Sequence, residues 1–476
     1  MRINMEKKNT WETYSSKQLK ELEKINAQYR DFLDNGKTER ECIDTIVNTI
    51  EKSGYRELES LIKEGAALKT GDKVYSVWMN KSIAMFQIGR KPMTEGMNIL
   101  GAHIDSPRLD LKQNPLYEDG GFAYLDTHYY GGVKKYQWVT IPLAIHGVIV
   151  KKDGTCVEIN IGENEDDPVF FVSDLLIHLA QEQLEKKAAK VIEGEALDII
   201  VGNKPLLIDK KDKKKDEKEA GKEAVKAGVL DILKETYDIC EEDFVSAELE
   251  IVPAGKAREA GFDRSMTLAY GQDDRVCAYT SMQAMLDSDV TDRTMCCILV
   301  DKEEIGSVGA TGMQSHFFEN AVAEVMNLTG EYSELHVRRC LAHSCMLSSD
   351  VSSAFDPTYA SSFDKKNVAY LGGGMVINKF TGARGKSGSN DANAEYLAHL
   401  RHIFGKAEVN FQTAELGKVD LGGGGTIAYI LALYGMNVID SGVAVLNMHA
   451  PWEATSKADV YETYRGYKAF VEGASL

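Results

Sequence analysis

Five short stretches of the chain carry histidine and carboxylate side chains: residues 101–107 (GAHIDSP), 271–275 (GQDDR), 301–306 (DKEEIG), 348–352 (SSDVS) and 447–451 (NMHAP). Each lies at the end of a run that reads as a strand, which is where sites form in open α/β sheets. Zinc takes imidazole nitrogen and carboxylate oxygen readily, and two histidines with several acids make up the ligand set of a two-metal hydrolytic site. The same concentration of negative charge would repel itself without a cation.

Two of these stretches have a finer grain. In His103-Ile-Asp105 the two polar residues stand two apart, so strand alternation puts both side chains on one face and the carboxylate can orient the imidazole. Taken alone, His103 reads as an ordinary polar residue; in the company of the other four stretches it reads as a ligand. Glu303 and Glu304 follow an apolar strand and point in different directions, so one can bind metal while the other faces a water as general base. An acidic surface turn is the bland alternative, against which the following residues 305–310 (IGSVGA) read as too apolar and glycine-rich for an exposed helical face.

These residues need a scaffold, and the hydrophobic pattern supplies one. Ile43, Ile46, Val47 and Ile50 mark an amphipathic helix that stops at Gly54. Residues 74–79, 83–88 and 98–102 read as strands. Residues 117–161 turn β-rich, with runs 139–150 and 156–161 joined through Asp153-Gly154 as a hairpin. Residues 171–184 return to helical spacing. From about residue 249 strands alternate with helices (266–270, 276–286, 295–300, 443–448), the pattern of a mixed, mostly parallel sheet flanked by helices. The last helix reads as starting at a capping-box-like Ser456 and Asp459 and burying Val460, Tyr464, Tyr467 and Val471.

The 476 residues suffice for two or three packed domains. A net charge of −18, from 55 basic and 73 acidic residues, argues against nucleic acid and anionic membranes as partners. Apolar stretches fall short of the ~20 residues that span a bilayer. The charged first residues (MRINMEKKNT) carry no signal-like apolar run, which sets the expected location as cytoplasmic. Eight scattered cysteines without a C-x-x-C pair read as reduced, mostly buried thiols. Residues 210–223 (KKDKKKDEKEAGKE) read as a solvated charged run.

The segments GAHIDSPRLDLK, GQDDRVCAYTS, DKEEIGSVGATG, SSDVSSAFDP and NMHAPWEATS, in this order, resemble the aminopeptidase I / aspartyl aminopeptidase family of dinuclear zinc metallopeptidases. The resemblance covers most of the chain. It implies that His103 and Asp350 bind one metal and Glu304 and His449 the other, with Asp273 bridging, that Glu303 is the general base, and that Asp105 orients His103. Asp274 is the rival for the bridge. It also implies a metal-bridging water as nucleophile, two divalent ions per subunit, most readily zinc with cobalt or manganese as alternatives, and peptide substrates with a free N-terminus. The expected architecture is a zinc-exopeptidase-like catalytic domain (1–110 and 250–476) interrupted by a β-rich dimerisation domain (111–249), with dimers building a homo-oligomer, a dodecamer.

Four further residues bear on substrate. Gly424 and Gly425, in the run 422–425 before an expected helix 426–433, could offer backbone N–H groups to a substrate oxygen, or form a plain tight turn. Members of the resembled family place a histidine of the inserted domain in a neighbouring active site, and His146 is the nearest match, although a core histidine fits its apolar surroundings. Lys379, in the basic segment 378–386, could meet an acidic substrate side chain, or lie in a surface loop; the family has both acidic-specific and neutral-preferring members. The rival functions are a related dinuclear deacylase or carboxypeptidase, and an inactive metal-stabilised assembly protein. Intact Glu303 speaks against the latter.

Overall fold

The computed structural model describes residues 9–206 and 223–475, so the start of the chain and all but the last residue of the charged run 210–223 lie outside the described residues. The chain divides into two compact units: Met1–Ser106 with Ala257–Met448 and Trp452–Leu476, and Pro107–Lys256 with His449–Pro451.

The first unit is built on a nine-stranded sheet in the order Arg56–Glu57, Lys73–Trp78, Ser82–Gln87, Thr294–Val300, Met97–His103, Cys345–Ser349, Asn437–Gly442, Met375–Asn378 and Phe411–Thr413. Four adjacent strands at its centre, from Thr294–Val300 to Asn437–Gly442, run parallel. Thr294–Val300, Met97–His103 and Cys345–Ser349 are buried along their whole length, and for that reason they carry apolar residues at successive positions (295–300, 99–102 and 345–347) instead of alternating ones. Alternation survives in the choice of face. Leu100, Ala102, Cys297, Leu299 and Leu347 join one core, whereas Ile99, Cys296, Ile298, Val300 and Met346 join the core on the opposite face.

Helices Ser16–Asp34, Glu39–Glu51, Gln272–Leu286, Ala394–Lys406 and Lys457–Gly473 contribute to the first core, and Leu58–Glu64, Phe317–Leu328 and Glu334–His343 to the second. The result is a mixed, mostly parallel sheet with helices on both faces. Helix Ser16–Asp34, which the sequence pattern did not reveal, starts at a reciprocal Ser15–Gln18 capping box and buries Leu22, Ile25, Tyr29 and Phe32 along one stripe. A separate five-stranded sheet joins Arg258–Ala260, Met266–Ala269, Glu453–Ser456, Ala444–Leu446 and Ser352–Ser353. The strand expected over 443–448 forms as Ala444–Leu446 in the small sheet, directly after the Asn437–Gly442 strand of the large one.

The closing helix buries Val460, Tyr464, Tyr467 and Val471 as expected, but its capping box is absent. Ser456 makes no side-chain cap bond, and the Asp459 carboxylate accepts N–H bonds from Gly372 (2.8 Å) and Gly374 (2.7 Å) instead. Fastening a distant loop outweighs a local cap. Asp459→Ala leaves both buried amides unpaired and is expected to cost about 2–4 kcal/mol of stability, read from urea unfolding.

The second unit carries a six-stranded sheet, Cys156–Ile161, Leu143–Val150, Ala247–Pro253, Arg108–Asp119, Phe122–Tyr130 and Ile199–Gly202, antiparallel throughout. The Asp153-Gly154 turn joins two of its strands as a hairpin. The helix expected over 171–184 is not formed. At its start Phe171 pairs through the backbone with Ile200 and Val172 with Val139, and only the short turns Ile177–Leu179 and Gln181–Leu184 are helical. Strand pairing thus overrides the periodicity. All eight cysteines are free, and all but Cys156 and Cys240 are buried. Among the described residues, no helix is long and apolar enough to cross a membrane.

Candidate metal centre

Three neighbouring parallel strands deliver side chains to the same end of the large sheet. His103 is the last residue of Met97–His103. Thr294–Val300 leads through Asp301 and a left-handed Lys302 (φ 69°) into the short turn Glu303–Ile305. Cys345–Ser349 leads directly to Asp350. Asp273 arrives from the head of helix Gln272–Leu286, behind Gly271, where a Cβ would lie 2.0 Å from the Arg275 guanidinium, so only glycine fits. The Asp273–Asp274 peptide is cis.

Around His103 these groups close into a cluster. Nδ1 lies 3.0 Å from the Asp105 carbonyl oxygen and 3.3 Å from its Oδ1, and Nε2 lies 3.3 Å from Asp273 Oδ1 and 3.9 Å from Glu303 Oε2. Asp105 stands beyond the strand end, so the loop makes this pairing and the pleat does not. Asp105 has a second task that the sequence did not suggest: Oδ1 accepts the N–H of Glu303 and Oδ2 that of Glu304, both at 3.1 Å. Asp273 is held through its backbone, by Glu453 Oε2 on its N–H (3.0 Å) and the Ser106 hydroxyl on its carbonyl (2.6 Å).

Three sets of potential ligand atoms each lie within 4.8 Å of one another: His103, Asp273 and Glu304; His103, Glu303 and Asp350; and Asp273, Asp274 and Asp350. Burial, followed by the charges of Glu303, Asp274 and Asp273, holds the Asp350 carboxyl well above the ordinary carboxylate range. Burial also raises Asp274. At His103 burial opposes protonation, but Asp105 and Asp273 outweigh it and lift the imidazole well above its usual value. Burial is thus the first cause at both carboxyls, and the neighbouring carboxylates add to it at Asp350 and reverse it at His103. The donors suit a cation: ligand atoms about 2.0–2.1 Å from one tetrahedral zinc stand about 3.3 Å apart, close to the separation of His103 Nε2 and Asp273 Oδ1.

Other residues singled out by type are not members of these three sets. His449 belongs to the second unit, in a left-handed conformation (φ 64°), where Nδ1–H donates to the Gly132 carbonyl at 2.9 Å. A proton on Nδ1 leaves the lone pair on Nε2. His146 is only 1% exposed, inside strand Leu143–Val150, with Nε2 3.1 Å from Glu163. That packing fits the alternative of a core histidine; the exposed histidines of its unit are His128 and His178. Lys379 pairs with Asp391 (3.0 Å), which also takes Lys386 (2.9 Å), so the basic segment is partly neutralised from within.

Gly424 and Gly425 are exposed, but the helix beyond them is only Ala428–Ala432, and the Gly424 N–H already donates to Thr381. The expected helix 426–433 is thus shorter at both ends, and one of the two glycine N–H groups is already bonded. Residues 305–310 are no buried strip either, since Ile305 is 49% and Val308 62% exposed. Even so, the Glu303 side chain just before them is only 15% exposed. Glu453 and Asp440 escaped sequence reasoning, although a legible signal existed: each is an acid inside a buried strand.

The chain is similar to known proteins over nearly its whole length. A probable M18 family aminopeptidase 1 of Clostridium acetobutylicum is 63% identical, over 98% of both chains. The crystal structure of an M18-family aminopeptidase from Thermotoga maritima superposes with a TM-score of 0.92 at 44% identity, covering 99% of this chain and 100% of that one. A structure of an S. cerevisiae mApe1 dodecamer shares the fold, at 20% identity and a TM-score of 0.75, over 94% of this chain and 96% of that one. The family model for aminopeptidase I zinc metalloprotease (M18) matches residues 32–471, and with that span and the 63% relative the chain belongs to the M18 family of metalloaminopeptidases.

Proposed function

We propose that this chain removes the N-terminal residue from peptides at a centre holding two divalent cations, with zinc the first choice and cobalt or manganese able to fill the same mixed donor set. The observation that carries the reading is the convergence of His103, Asp273, Glu303, Glu304 and Asp350 into overlapping ligand sets. His103 and Asp350 would hold one ion, Glu304 and His449 the other, and Asp273 would be shared. Bound there, the ions would polarise the scissile carbonyl and make water a competent nucleophile near neutral pH.

The remaining steps belong to the protein. Glu303, with an oxygen 3.9 Å from His103 Nε2, is the general base: it accepts the proton of the attacking water and returns it to the leaving amine. Asp105 fixes His103 and the Glu303–Glu304 backbone, so base and ligand keep their separate aims. In this reading Lys379, Gly424 and Gly425 would meet the substrate, with the Gly425 N–H and the Lys379 ammonium as the groups offered to it. A homo-oligomer, a dodecamer assembled from dimers through the second unit, and a cytoplasmic location complete the reading.

Metal analysis with paired substrates tests it. About two ions per chain are expected, with aminoacyl substrates cleaved when the N-terminus is free and refused when it is acetylated. Equal cleavage of both kinds would point to the related deacylase chemistry instead.

A further inference from the structure

Asp440 lies in strand Asn437–Gly442 and is 2% exposed. Across the parallel register it faces Ser348, two residues before Asp350, and across the antiparallel register Asn378, the residue before Lys379. The same strand grips Asp350 directly. The Asp350 N–H donates to the Ser441 carbonyl (3.1 Å), and a Cβ on Gly442 would stand 1.9 Å from the Asp350 carbonyl oxygen. Asp440 Oδ1 accepts the Thr426 hydroxyl at 2.6 Å, and Thr426 in turn accepts the Ala428 N–H (3.3 Å), closing the glycine-rich loop onto its short helix.

None of this bonding calls for a charge. An asparagine would accept the Thr426 hydroxyl equally well, and a buried carboxylate is costly unless something compensates it. Asp440 Oδ2 makes no well-formed hydrogen bond among the described residues, with the uncharged Ser348 hydroxyl as its polar neighbour. Burial pushes the Asp440 carboxyl up to about 7, against the lowering effects of the Thr426 and Ser348 hydroxyls and with a smaller rise from the Glu303 carboxylate. The neighbouring charge that raises it is a carboxylate of the metal cluster, and it has the same sign as its own.

We propose that Asp440 is a positioning residue of the metal centre, a carboxylate outside the ligand sets whose negative charge strengthens cation binding while its Oδ1 anchors Thr426. The inference rests on the two-cation reading above. A cation nearby is the compensation that the buried carboxylate otherwise lacks, and groups just outside a ligand set commonly change metal affinity about 10- to 100-fold.

The test is a zinc titration of the metal-free full chain against a chromogenic chelator, with the melting temperature of the metal-free protein measured alongside. Asp440→Asn keeps the Thr426 bond and removes the charge; it should bind zinc roughly tenfold more weakly, with an unchanged or higher melting temperature. Thr426→Val keeps the charge and removes the anchor, and its zinc affinity should stay within about twofold of the parent. Parental affinity in Asp440→Asn, a melting temperature that falls along with its affinity, or an equal loss in Thr426→Val would each overturn the proposal. Failure of the parent chain itself to bind zinc would instead remove the two-cation reading.

Discussion

Replacing Glu303 with glutamine should lower kcat by about 10²–10⁴-fold, the usual contribution of a positioned general base, with zinc content and KM close to those of the parent. The reasoning is geometric. Glu303 and Glu304 are neighbours in one short turn, yet their carboxylates enter different ligand sets, one with His103 and Asp350, the other with His103 and Asp273. Glutamine preserves the size and most contacts of Glu303 but cannot take a proton. Steady-state kinetics with metal analysis on the same preparation separates the alternatives. Parental turnover would remove Glu303 from the proton path, and loss of zinc in step with turnover would make it a ligand.

Much of the scaffold could be read from the chain because burial leaves a strong mark on composition. Strands Met97–His103 and Thr294–Val300 are covered on both faces and therefore stand out through apolar residues at successive positions, 99–102 and 295–300. Helix Ser16–Asp34 has only one face to bury, and its stripe is diluted by lysine and glutamate; its better signal was the Ser15–Gln18 cap. Residues 171–184 misled for the opposite reason, since helical spacing there lost at its start to backbone pairing of Phe171 with Ile200 and of Val172 with Val139. Long-range pairing of this kind leaves no local trace.

The site divides in the same way. Side-chain types and strand-end placement are enough to mark His103, Asp273, Glu303, Glu304 and Asp350, because chemistry needs particular atoms and open α/β sheets offer particular ends. The partners that hold them were not legible. Glu453 bonds the Asp273 backbone across 180 positions of sequence, and Asp440 meets Ser348 only through sheet order. His146 shows what residue type alone leaves open: an apolar strand holds it beside Glu163 inside the second unit, as the alternative of a core histidine has it.

Asp105→Asn is expected to weaken zinc binding about 10- to 100-fold, the range for groups that orient metal ligands, and to lower kcat as well. One residue here performs three tasks: its carbonyl and Oδ1 face His103 Nδ1, Oδ1 takes the Glu303 N–H, and Oδ2 takes the Glu304 N–H. Asparagine has one acceptor oxygen where aspartate has two, so its NH₂ group must face a backbone donor or the imidazole. Donor against donor in a fully buried position cannot be relieved by water, and the turn carrying both glutamates has to shift. The effect should therefore reach ligand and base together, unlike Glu303→Gln, which touches proton transfer alone. Zinc titration and kcat measured on Asp105→Asn decide the matter: parental affinity would mean that the turn holds its shape without this carboxylate, and Asp105 would lose its place as the common support of the centre.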